Sequence, residues 1–97
     1  PFAHLVLITF KGLVEAEVAS QLELFMARLS PLLPETVQVA PPMPAALARA
    51  KGFYRYQVML RCEHTVKMTK PVKHALGMTR LPMGIKVTVD VDASSLL

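Results

Sequence analysis

The chain has no asparagine, no tryptophan and a single cysteine, Cys62, among its 97 residues. One thiol excludes an internal disulfide and any metal centre built on a cysteine pair. Burial at a strand end, rather than reactivity, is the role expected of it. Long apolar runs are missing too: no stretch approaches the roughly 18 residues of a membrane span. The chain opens on Pro1 with no secretory leader pattern, which fits a soluble, cytoplasmic, monomeric fragment of a larger protein with no membrane partner. At this length, one domain over residues 1–97 with one hydrophobic core is expected.

Acidic residues are scarce where basic ones crowd. Residues 49–86 hold Arg49, Lys51, Arg55, Arg61, Lys67, Lys70, Lys73, Arg80 and Lys86 against one acid, Glu63. The first 48 residues hold Lys11 and Arg28 against Glu15, Glu17, Glu23 and Glu35, and Asp90 and Asp92 follow at the end. The net charge of +4 therefore conceals a strongly cationic half. Such asymmetry points to a polyanionic partner, most often nucleic acid, with a solvated basic face as the alternative.

The chain reads as alternating strands and helices. His4 to Phe10 is a short, apolar, β-branched run stopping at Lys11-Gly12, and its two apolar faces predict a central strand. Val14, Val18, Leu22, Phe25, Met26 and Leu29 then recur at helical spacing, with acids towards the N-terminal half, where the macrodipole favours them. Pro31 and Pro34 should end this helix, since proline lacks an N–H and disfavours helix in the preceding residue. Val37 to Val39 predicts a short edge strand closed by Pro41-Pro42, followed by a Pro/Ala-rich connection over 41–50 that Leu47 would anchor.

The strongest strand signal is Lys51 to Arg61, aromatic and β-branched at 53, 54, 56 and 58. Alternation places Tyr54, Tyr56, Val58, Leu60 and Cys62 on one core-like face, and Phe53, Arg55, Gln57, Met59 and Arg61 on the other. His64 to Met78 predicts an amphipathic helix, apolar at Met68, Val72, Ala75 and Leu76 and basic at Lys67, Lys70 and Lys73. Pro71 interrupts it at a cost of about 3 kcal/mol, so the helix either kinks there or begins there. Ile85 to Asp92 alternates strictly and predicts a last strand.

The order strand, helix, strand, strand, helix, strand, with right-handed crossovers, predicts an α+β two-layer sandwich. Its sheet is four-stranded and antiparallel with both helices on one face, the βαββαβ ferredoxin-like arrangement. Leu5, Leu7, Phe53 and Met59 then lie on the face the helices leave open, a candidate surface for docking on other protein.

Several functional constellations are incomplete. Lys51-Gly52-Phe53 matches the start of an RNA-recognition-motif strand, but Tyr54, Arg55 and Val6 occupy positions where that motif requires a small residue and stacking aromatics. Acylphosphatase, which shares the fold, needs an asparagine and a glycine-rich loop that are absent. His4, His64, His74 and Cys62 supply no ligand quartet, and Asp90 with Asp92 reads as a solvated pair rather than a magnesium site. No catalytic residue and no metal ligand is assigned.

The residues do resemble one family. Pro1-Phe2-Ala3-His4-Leu5 with Phe10-Lys11-Gly12, the stretch from Ala46-Leu47-Ala48-Arg49 into Lys51-Gly52-Phe53-Tyr54-Arg55-Tyr56-Gln57, and Val89-Asp90-Val91-Asp92 with Ser95-Leu96-Leu97 are similar to the C-terminal domain of primosomal protein N-prime, the replication-restart DNA helicase PriA. The resemblance implies a domain of an ATP-dependent 3′ to 5′ helicase that contributes to binding forked and single-stranded DNA. It also implies a position near the site for the acidic tail of single-stranded-DNA-binding protein. ATP, magnesium and zinc are expected elsewhere in the parent, since neither a phosphate-loop motif nor a cysteine pair occurs here. Two departures stand out: Ala93 replaces a common proline, and Thr65 replaces an arginine associated with the acidic-tail site, with Lys67 the nearest substitute.

The sequence thus predicts a non-catalytic DNA-binding and docking domain in which Arg49, Lys51, Arg55, Arg61, Lys67, Lys70 and Lys73 neutralise phosphates. The alternative is a purely structural interaction domain that packs on the remaining helicase domains and receives an acidic peptide.

Overall fold

The structure, a computed structural model, describes residues 3–92, and of residues 45–50 the backbone alone. Strand β1 spans His4–Gly12, helix α1 Glu15–Leu29, strand β2 Gln38–Ala50, strand β3 Phe53–Cys62, helix α2 Val66–Gly77 and strand β4 Lys86–Val91. The strands form one antiparallel sheet in the order β2-β3-β1-β4, the ferredoxin-like topology the element order predicts.

The doubly apolar strand is central for the reason its composition gives. Val6, Ile8 and Phe10 are fully buried towards the helices, and Leu5 and Leu7 are buried on the opposite face. Against the first face α1 sets Val18, Leu22, Phe25 and Leu29 at helical spacing, and α2 sets Met68, Val72 and Ala75. Phe10 and Phe25 meet as a tilted aromatic pair with centroids 5.4 Å apart. Val14, first on the predicted apolar stripe, is exposed and precedes the helix. Proline does not end α1 abruptly: Ser30–Leu32 tightens into a 3-10 turn with Pro31 in its first positions, where a missing N–H costs nothing.

One expectation is corrected and one open alternative is narrowed. The Pro/Ala-rich connection is strand: β2 continues to Ala50, with its register against β3 shifting between Ala40 and Met43 and again between Pro44 and Arg49. Because β2 lies at the sheet edge, prolines facing away from the ladder sacrifice no bond, and the bulges absorb those that would. The second concerns Pro71. It lies inside α2, which begins five residues earlier at Val66, so the proline does not start the helix.

Where β2 turns into β3, Ala50 pairs with Phe53 and Lys51-Gly52 forms a two-residue loop with φ of 55° and 83°. Both positive values are those of a type I′ hairpin turn, whose twist matches the strands it joins. The radius of gyration, 13.0 Å, is that of a compact chain of about this length.

Candidate nucleic-acid interface

Alternation along β3 and its neighbours sorts the cations between two layers. Tyr54 and Tyr56 pack against the core on the helix side, as expected, and the Tyr56 hydroxyl donates to Glu15 Oε2 at 3.0 Å. That hydrogen bond, with lesser contributions from desolvation and the Glu15 charge, raises the Tyr56 phenol above its ordinary range. Arg55 and Arg61 project from the open face, while Lys67, Lys70 and Lys73 are exposed on α2 in the opposite layer. Lys51 is exposed at the hairpin tip. The side chain of Arg49 lies outside the described residues, as does that of Leu47.

The seven expected DNA-contacting residues therefore do not converge on one patch. Arg61 and Lys67 share a cleft of about 610 Å³ with Thr36, Gln38, Glu63 and His64 at the entry to α2. Lys70 and Lys73 border a second groove with Leu32, Pro71 and His74. Cys62, buried at the end of β3, contacts Thr36 Oγ1 at 4.0 Å. Among the described residues no group of three potential metal ligands gathers.

Strand register makes the open face legible row by row. Arg61 pairs with Leu5, Met59 with Leu7, Gln57 with Thr9, and Arg55 with Lys11. On the other side of β1, Asp90 stands opposite Leu7, Thr88 opposite Thr9, and Lys86 opposite Lys11. Leu5 and Leu7, expected to offer a docking surface, are 8% and 6% exposed, and Phe53 and Met59 are half-buried. Arg55 does not face Asp90. Four residues along the strand separate their rows, about 13 Å. Its partner on β1 is Lys11, with Lys86 one strand further on, and one of its terminal nitrogens, Nη1, is buried without a hydrogen-bond partner. The Lys11 ammonium lies 4.7 Å from the centroid of the Phe53 ring.

Sequence reasoning omitted Lys11 and Lys86 from the site. Period-two alternation puts Lys11 on the same face as Leu5 and Leu7, but its proximity to Arg55 and Lys86 follows only from register.

Among the described residues, no lysine or arginine forms an ion pair with an aspartate or glutamate; the one pair present joins His4 to Asp92 at 2.8 Å. The excess positive charge is therefore left for solvent or a partner. A model of the primosomal protein N C-terminal domain matches residues 1–94. The chain belongs to this family. Replication restart protein PriA of Synechocystis sp. is 27% identical over 96 residues, 99% of this chain and 11% of that protein. Its counterpart in Chlamydia pneumoniae is 25% identical over 92 residues, 95% of this chain and 12% of the relative. The chain thus spans about a ninth of the length of these relatives. Among solved structures, the de novo designed protein Foldit4 superimposes with a TM-score of 0.68, covering 92% of this chain and 94% of its own at 16% identity. That likeness concerns the fold alone. Family membership places the domain in replication restart proteins, and no helix among the described residues is long and apolar enough to cross a membrane.

Proposed function

We propose that this chain is a non-catalytic DNA-binding and docking domain of a replication-restart helicase that binds forked and single-stranded DNA through its cationic half. The observation that carries the reading is the unneutralised charge: nine cations between residues 49 and 86, and no lysine or arginine among the described residues ion-paired to a carboxylate. Lys51 at the hairpin tip, Arg55 and Arg61 on the open face, and Lys67, Lys70 and Lys73 on α2 supply the phosphate contacts, with Arg49 near Lys51 in sequence. Contacts to phosphate position a duplex or strand without reading its sequence, so binding is structure-selective and salt-dependent. The parent supplies ATP hydrolysis, 3′ to 5′ unwinding and its zinc and magnesium sites in other domains, and acts as a cytoplasmic protein. Titrating labelled fork DNA with the domain and its Arg55→Ala variant tests the reading. Binding at low salt that weakens in the variant supports it, and no binding by the unaltered domain refutes it.

The cleft lined by Arg61, His64 and Lys67, with Glu63 as its one acid, supports a second role, reception of the acidic tail of single-stranded-DNA-binding protein. In that reading the domain is a docking module, with its open face against the remaining helicase domains. An acidic, phenylalanine-ended peptide then binds, and Lys67→Ala with Lys70→Ala abolishes that binding while DNA affinity is absent.

A further inference from the structure

Three cations stand side by side across three adjacent strands: Arg55 on β3, Lys11 on β1 and Lys86 on β4. Adjacent strands lie roughly 4.8 Å apart, so the row is about 10 Å wide. Like charges directly opposite one another destabilise a sheet. Among the described residues no carboxylate lies in this row or the next: Lys11 rests on the Phe53 ring, the adjoining row is neutral, with Gln57, Thr9 and Thr88, and Asp90 lies one row beyond. Arg55 Nη1 is moreover withdrawn from solvent with no acceptor, an expensive state for a charged donor. Together these features call for an acceptor that the described residues do not supply.

The chemistry of that acceptor follows from the neighbours. Phe53, the aromatic that would serve as a stacking platform, is capped by the Lys11 ammonium, so the face does not offer its ring to a base. What it offers is a guanidinium and two ammonium groups, with threonine hydroxyls and a glutamine amide beside them. This is the set of side chains that contacts phosphate oxygens in nucleic-acid complexes. A polynucleotide also brings successive anions to a row of cations, where a single carboxylate would leave the row mostly unneutralised.

We propose that Lys11, Arg55 and Lys86 form a backbone-phosphate subsite for single-stranded nucleic acid on the open face of the sheet. This rests on the DNA-binding reading and adds to it two residues and a place. The subsite takes phosphates without reading bases. It lies in the layer opposite α2, so it is independent of Lys67, Lys70 and Lys73.

The test uses the 97-residue chain and an oligothymidine strand, titrated over a series of salt concentrations. Lys11→Gln with Lys86→Gln is compared with Arg80→Gln, which removes a cation outside every proposed contact. The subsite predicts that the double variant binds more weakly and that its salt slope falls by about 0.7 for each phosphate it no longer neutralises, while Arg80→Gln keeps the original slope. It also predicts that inorganic phosphate shifts the Arg55 Nε–H resonance of the unaltered chain. Strand binding with an unchanged slope in the double variant overturns the subsite and leaves the broader reading intact. No strand binding by the unaltered chain overturns both. If polyglutamate moves the Arg55 resonance at lower concentration than the strand does, the occupant is a protein acid surface and the nucleic-acid assignment fails.

Discussion

Lys51 holds a left-handed backbone conformation, φ 55°, that costs an ordinary L-residue about 1–2 kcal/mol. Asparagine tolerates the region better, so Lys51→Asn should raise stability by several tenths to about 1 kcal/mol in denaturant unfolding. The same change should weaken DNA binding, since it removes a cation from the hairpin tip. A gain in both would dissociate Lys51 from DNA. Gly12 presents a different constraint. A Cβ there would lie 2.6 Å from Ile85 Cδ1 and 2.9 Å from Val18 Cγ2, so Gly12→Ala should destabilise by about 1–3 kcal/mol through overpacking. Tyr56 supplies a pH test. Because its folded phenol titrates above its ordinary value, the stabilisation from its bond to Glu15 is present below about pH 10 and is lost as pH rises through the raised value. Glu15→Gln should lower the Tyr56 pKa in an NMR titration, and an unchanged value would mean the bond is not made in solution.

At the scale of the element, α2 carries its own inconsistency. Pro71 removes the N–H that would bond to the Lys67 carbonyl, yet the helix runs through it from Val66 to Gly77. Pro71→Ala should restore that bond, stabilise the fold by about 1–3 kcal/mol at most and so raise the unfolding midpoint. A lower midpoint would show that the ring is needed where it packs. The helices and both central strands were legible because their apolar residues repeat at one clear period, as at Val18, Leu22, Phe25 and Leu29. The length of β2 was not. Pro41, Pro42 and Pro44 read locally as breakers, and only the edge position of the strand, a property of the whole sheet, makes them tolerable. The fate of Pro71 was equally closed to local reasoning, since packing of Met68, Val72 and Ala75 on both sides of it holds the helix together.

At the scale of the molecule, sequence located the charge and the fold arranged it. The cationic half was plain from composition, but its division between the open face and α2 required the sheet order and register. Register shows that Arg55 stands beside Lys11, with Lys86 on the strand beyond, rather than opposite Asp90. The arrangement has basic side chains in two opposite layers, on the open face of the sheet and on α2. The central claim is that this unneutralised charge binds DNA, and a salt titration of fork DNA against the unaltered domain tests it most directly. The account predicts log affinity falling linearly with log salt, by about 0.9 for each duplex phosphate contacted, and tight enough at low salt to saturate. Affinity that is absent at low salt, or indifferent to salt, would contradict it.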